Sequence, residues 1–313
     1  MDSPSKILLG TAGWAYKDWE GVFYPPEMYR RRQHPLEFMA RCFDVVEINT
    51  SFYGHIKPEL AKLWAKRADA VNPKFVFTVK LHRSFTHSPL MMAGPTSAAT
   101  IKPNEQDARL AREGLEALAT TGKLGALLIQ FPVSYKNTPL NRDYIEELAR
   151  RFSEFQRVIE VRHDTWDNPG TIAMMEQQGV SFCNIDQPQI GHSLAPTAYV
   201  TAPIGYVRLH GRNYQDWFEA EQPHDRYNYL YSESELQSWK EKIKRIAGRA
   251  SITYVLANNH FEAKAAVNAL QLSSLLRGER VLAPETLLQH YPGLRNIADP
   301  LPDSQASSLS LLA

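Results

Sequence analysis

Glu160 and Arg162 stand two residues apart at the end of an apolar run, Arg157-Val158-Ile159-Glu160-Val161-Arg162-His163. Alternate side chains of a strand share a face, so the carboxylate and the guanidinium point one way and Val161 the other. A buried parallel strand ordinarily reads as a continuous apolar run. Ending one on two charges is costly unless the ions are paired or solvated. The arrangement recurs along the chain. Glu47 and Asn49 flank Ile48, and Arg208 and His210 flank Leu209. Lys80, Gln130 and Asp186 end three further apolar runs, and Asn258-Asn259-His260 follow a fourth.

This set points to an anion and a proton. Lys80, Arg162 and Arg208 can neutralise a phosphate or carboxylate, arginine through a planar bidentate fork. Glu47, Glu160 and Asp186 can hold those cations in place or act as general acid and base, with His210 as partner, because crowded opposite charges push pKa values apart. Asn49 and Asn258 would orient polar substrate groups, and Trp14, Tyr53, Gln130, His163 and Asn259 complete the expected binding set. Two other readings compete. One is a self-satisfied ion network plugging the fold. The other is a divalent metal on Glu160, His163, Asp186 and His210, although no local spacing is a metal signature and neighbouring cations disfavour a divalent ion. No cofactor motif occurs, neither cysteine ends a strand among cations, and no serine sits in a nucleophile elbow.

Such residues need strands to carry them. Strands are predicted at 7–10, 45–49, 75–80, 125–130, 157–163, 180–185, 206–210 and 252–256. Helices are expected at 35–43, 58–68, 104–122, 141–155, 170–178, 232–249 and 262–276, with Asn141 as a cap and Ser232–Glu235 as a capping box. The segment 188–203 is too rich in proline for a long helix. Eight strand–helix units in about 270 residues match a closed (β/α)8 barrel of the α/β class, whose C-terminal strand ends build the site. A doubly wound sheet would carry a glycine-rich dinucleotide loop, which the chain lacks. One barrel domain is expected over 1–298, with an extra amphipathic piece at 284–298 and a mobile tail from Asp299. Three long loops rise on the site side. They carry Trp14, Tyr16, Trp19, Phe23 and Tyr24, then His82, Arg83, Thr86 and His87, then Tyr214, Trp217, Tyr227, Tyr229 and Tyr231.

Composition narrows the partners. The 313 residues hold 35 basic and 34 acidic side chains, a net charge of +1. That balance disfavours broad electrostatic contact with nucleic acid and leaves a small anionic molecule as the expected ligand. No apolar run has the length of a membrane span. Met1 to Lys6 lacks the apolar core of a secretory signal, and the two cysteines are far apart, so a cytoplasmic setting with reduced thiols is expected. No feature fixes an oligomeric state.

The motifs together resemble the YecE-like family, a domain-of-unknown-function group. Gly10-Thr11-Ala12-Gly13-Trp14 with Trp19 and Phe23-Tyr24-Pro25 is similar to its opening, and Val46 to Tyr53 to its second motif. Lys80 with Thr86-His87, Glu160 to His163 with Trp166, Arg208 to Gly211, Arg226 to Ser232, and Asn258 to His260 follow in the family's order, over residues 7–278. Ala12 departs from the serine usual there. The resemblance implies a TIM-type barrel with the motif residues at one mouth, and it supplies no reaction. The expectation is an enzyme acting on a phosphorylated or carboxylated metabolite by acid–base chemistry. A metal-dependent hydrolase such as a phosphodiesterase and a barrel that binds without turnover are the alternatives.

Overall fold

The apolar runs become eight parallel strands in this structure, a computed structural model that describes residues 6–87, 105–214 and 227–302. They are β1 (Lys6–Ala12), β2 (Val45–Ile48), β3 (Val76–Lys80), β4 (Leu124–Gln130), β5 (Arg157–Glu160), β6 (Ser181–Asp186), β7 (Ile204–Leu209) and β8 (Ile252–Ala257). Each pairs with its neighbour in sequence, and β1 pairs with β8, so the sheet closes into a barrel. Closure gives each barrel strand a partner on both sides and so removes the edges of that sheet. Gly10 permits the tight β1–β2 seam. A Cβ at that position would lie 1.7 Å from the Val45 carbonyl oxygen.

Helices cover the outside and bury their apolar faces against the strands. Four of them, Pro35–Cys42, Pro58–Asp69, Pro139–Arg151 and Pro169–Gln178, begin on proline, whose missing N–H costs nothing in a first turn. Glu105–Ala119, Glu233–Ala247 and Lys264–Arg277 complete the ring, the second of these opened by the Ser232–Glu235 capping box. The structure is therefore a TIM-type (β/α)8 barrel, and the segment 188–203 forms no helix, as its prolines require. Among the described residues no helix is long and apolar enough to cross a membrane.

Local differences have local causes. Thr138, not Asn141, caps its helix: the hydroxyl accepts from Asn141 N, because Pro139 occupies the first helical position. That helix ends at Arg151 rather than Phe155. The helix expected from Glu262 begins at Lys264, since Glu262 and Ala263 sit at left-handed φ values of 49° and 62°. β5 ends at Glu160, so Arg162 and His163 lie beyond the strand, as do Asn49, His210 and Asn258. Asp299 does not begin a loose tail. It lies in β10 (Ala298–Pro300), which pairs with β9 (Val281–Ala283). Residues from 303 onward, Trp217 and Arg226 lie outside the described residues.

Candidate active site at the barrel mouth

The barrel interior is polar where its strands run out. Arg208 of β7 crosses the barrel and joins two carboxylates, those of Glu47 and Glu160. Its Nη2 and Nε donate to Glu47 Oε1 and Oε2 at 2.6 and 3.0 Å, and its Nη1 donates to Glu160 Oε2 at 2.6 Å. The Tyr206 hydroxyl lies below, 3.0 Å from Glu47 Oε2 and 2.8 Å from Thr78 Oγ1. Arg162 Nε donates to Glu160 Oε1 at 2.8 Å, and His210 Nε2 lies 3.1 Å from the same oxygen. Every carboxylate oxygen of the pair thus accepts at least one charge-assisted hydrogen bond.

These contacts fix the ionisation states. Burial alone would raise the Glu160 pKa, but Arg208 and Arg162 outweigh it and hold the carboxyl well below its usual range. Burial likewise opposes the Arg208 charge, and Glu160 and Glu47 more than restore it. His210 is fully buried. Desolvation, reinforced by Arg162, pushes its pKa down to about 3, so the ring is neutral. Asn258 Nδ2 faces its Nδ1 at 2.9 Å, and its Nε2 lies between Glu160 Oε1 and Arg162 Nη2, each at 3.1 Å. Glu47, Glu160 and His210 are 0% exposed, and none of them lines the cavity above. In this structure the three side chains lie beneath the cavity and hold the arginines.

Above this layer opens a cavity of about 500 Å³. Lys80, Gln130, Arg162, Arg208, Asn49 and Asn258 form its polar floor, each at or just past the end of a different strand, and the two arginines share Glu160. Trp14, Tyr16, Phe52, Trp64 and Tyr227 form its walls, and Tyr53, 73% exposed, stands at the rim. Gly13 turns the chain over the mouth at φ +84°, with its N–H bonded to Glu47 O at 2.8 Å. Tyr16 follows. Its hydroxyl donates to Ala12 O at 2.6 Å and its ring stacks on His260 at 4.3 Å. Trp14 and Trp64 meet edge to face at 5.2 Å. The size and the mixture of apolar wall and few polar groups are those of a small-molecule site.

Lys80 differs from the other cations. Its Nζ lies 3.9 Å above the Phe52 ring, and among the described residues no carboxylate is within ion-pair distance of it. Burial, with Arg208 as the next cause, pushes its pKa down to about 7. Ser51 Oγ, 2.6 Å from Lys80 O, fixes the strand end. His87 packs edge-on to Phe52 at 5.0 Å, and burial followed by Lys80 lowers its pKa to about 4. Asn49 Oδ1 is buried and has no hydrogen-bond partner among the described residues.

Three expected site residues lie elsewhere. Asp186 points out of the barrel, because β6 turns its odd-numbered residues inward and places Cys183 Sγ 3.9 Å from Glu160 Oε2. The Asp186 carboxylate accepts from Arg212 Nη2 at 2.8 Å and Trp239 Nε1 at 2.6 Å, which ties the helix Glu233–Ala247 to the sheet. His163 faces away as well, accepting from Thr165 N at 3.2 Å and stacking on His192 at 5.2 Å. Asn259 Nδ2 bonds Tyr229 O and Asn268 Oδ1, both at 2.8 Å, behind the barrel wall. The quartet Glu160, His163, Asp186 and His210 is therefore not a metal site. Among the described residues two other groups have donor atoms close enough to share an ion: His55, His82 and Asp107, and His163, Asp164 and His192. Both are linked internally by hydrogen bonds, His55 Nε2 to Asp107 Oδ1 and His192 Nδ1 to Asp164 Oδ2, each at 2.9 Å. Sequence reasoning missed Phe52, Trp64 and His34 as cavity residues. Phe52 lay inside a quoted motif, whereas Trp64 reads as an ordinary core position of its helix.

A closed parallel barrel whose strand ends converge on one charged, aromatic-walled cavity defines a TIM-type barrel protein with a candidate active site at its C-terminal mouth. Residues 8–290 match the family described as "Protein of unknown function DUF72", and the chain belongs to that family. The UPF0759 protein YunF of Bacillus subtilis is 26% identical over 292 residues, 90% of this chain and 99% of that protein. The crystal structure of a DUF72 family protein from Thermotoga maritima shares 31% identity at a TM-score of 0.73, covering 87% of this chain and 99% of that one. A DUF72 family protein from Enterococcus faecalis shares 25% identity at a TM-score of 0.72, covering 87% and 95%.

Proposed function

We propose that the chain is an enzyme that binds a small molecule bearing a carboxylate or phosphate and moves a proton on it, with Lys80 as the proton carrier. One observation carries this reading: the charges of the floor do not cancel. Glu47 and Glu160 offset Arg208 and Arg162, His210 is neutral, and a protonated Lys80 is left over. An anion in the cavity completes the pairing. Arg162 supports it, since Nε is committed to Glu160 while Nη1 has no hydrogen-bond partner among the described residues. The aromatic walls suit a ligand with a ring or sugar face beside its anionic group. Lys80 takes over the proton transfer first assigned to the glutamates because, near pH 7, it exists in both charge states.

Calorimetric titration with inorganic phosphate and with phenyl phosphate tests the reading. Binding of either, weakened at least about tenfold in Arg162→Ala, is the expected result, the magnitude being that of a charge-assisted hydrogen bond. Unchanged affinity in a folded Arg162→Ala variant refutes the assignment.

A further inference from the structure

The cavity contains an amine, and amines do more than carry protons. Lys80 is faced by Arg208 from β7, Arg162 and Glu160 from β5, Glu47 from β2 and His87 beyond its own strand. The carboxylates in that circle are already spent. Both oxygens of Glu47 and both of Glu160 accept from Arg208, Arg162, Tyr206 or His210. Among the described residues no carboxylate lies within ion-pair distance of Lys80, and burial with Arg208 outweighs the pull of the more distant Glu160 and Glu47. With a pKa near 7 the group is about half neutral at neutral pH, where an ordinary lysine is almost wholly protonated. A neutral, partly desolvated amine is the usual nucleophile toward carbonyl compounds. Around it the floor supplies what such a reaction needs: Arg162 to hold an anionic group and a buried acceptor without a partner among the described residues, Asn49 Oδ1, for a hydroxyl formed on the way.

We propose that Lys80 forms an imine with an aldehyde or ketone that carries a carboxylate or phosphate. The inference rests on the anion-binding reading above and adds the substrate's carbonyl group. The Nζ lone pair attacks the carbonyl carbon, and the C=O π pair moves to oxygen, which takes up a proton while nitrogen gives one up. The resulting carbinolamine loses its hydroxyl, with a proton, as water, and the C=N bond forms. Amine and carbonyl give imine and water, with no change of oxidation state and no further reactant. Once protonated, the imine withdraws electrons from the adjacent carbon and makes its proton, or a C–C bond to it, easier to break.

Glyoxylate, the smallest aldehyde acid, tests the proposal with cyanoborohydride present to reduce any imine. At pH 7, peptide mapping should find Lys80 carrying glyoxylic acid less one oxygen. Its rate should exceed that of the exposed Lys62 and Lys66 on the order of tenfold or more, given their different neutral fractions. Inorganic phosphate should slow it, and Lys80→Arg should lose this fast site while keeping the positive charge. If Lys80 reacts no faster than Lys62 and Lys66 while glyoxylate still displaces phosphate, the imine is refuted and the anion site stands. If Lys80 is inert and neither phosphate nor glyoxylate binds, both readings fall.

Discussion

Replacing Arg208 by methionine should be the most damaging single change at the mouth, and the reason can be worked atom by atom. Arg208 is 1% exposed and supplies three hydrogen bonds to two carboxylates that are 0% exposed. Without it Glu160 keeps Arg162 and His210, whereas Glu47 keeps only the Tyr206 hydroxyl. Breaking a buried pair by removing one partner costs about 3–5 kcal/mol, since the other ion remains desolvated. That is a large share of the roughly 5–15 kcal/mol by which a domain is stable. Urea unfolding should show a lower midpoint with little change in slope. Adding Glu47→Gln should recover at least about 1 kcal/mol, because the stranded charge is gone. The pH dependence has a definite sign. Glu160 has a depressed pKa in the folded protein, so its contribution is present above the ordinary carboxylate pKa and is lost only as pH falls through the folded value. Removing Arg208 raises that folded value, so the deficit of Arg208→Met should narrow as pH falls from neutrality toward the carboxylate range. A loss below about 1 kcal/mol, or a double variant worse than Arg208→Met alone, refutes the idea that Arg208 compensates these carboxylates.

Other expectations follow from the same contacts. An anion beside Lys80 favours its charged form, so phosphate binding at pH 8 should take up a fraction of a proton, less at pH 6; calorimetry in buffers of different ionisation heat measures it, and Lys80→Met should abolish it. Because the folded Lys80 pKa lies below the unfolded one, the unfolded chain binds the extra proton between about pH 7 and about pH 10, so wild-type stability relative to Lys80→Met should rise across that window. Asp186→Asn should cost about 1.5–3 kcal/mol by weakening the Arg212 and Trp239 contacts, yet leave phosphate affinity within about twofold; a lost affinity would return Asp186 to the site. Trp64→Leu should weaken phenyl phosphate more than inorganic phosphate, as titration of both ligands would show.

The strands and most of the mouth were legible because charge broke an apolar rhythm. At Glu47, Arg208 and His210 the alternation with Ile48 and Leu209 gave the inward face directly, and the structure gathers those side chains. Asp186 escaped for a physical reason. β6 is buried on both faces, and Ser181 to Asp186 mixes polar and apolar residues on each, so nothing in the run distinguishes inside from outside. His163 and Asn259 turn away while Arg162 and Asn258 turn inward, so the alternation carries on for two or three residues past the strand ends and parity assigns His163 and Asn259 to the outer side. The state of Lys80 is not local at all. It depends on arginines from β5 and β7 consuming both carboxylates, a fact visible only after closure. Trp64 reaches the cavity from a helix whose pattern is that of any core-facing helix.

The span of Arg208 across the barrel also has a bearing on how the chain is assembled. Glu47 and Glu160 belong to β2 and β5, and their common counter-ion arrives only with β7. On a ribosome the first five strands emerge with two acids facing what will be the interior and without that cation. A prematurely closed partial barrel would trap the charge of Glu47, so such compact intermediates are disfavoured and the nascent interior stays wet until β7 is delivered. The same side chain that balances the finished mouth thereby acts as a timer. It makes sealing of the interior wait for the strand that brings the counter-ion shared by both acids.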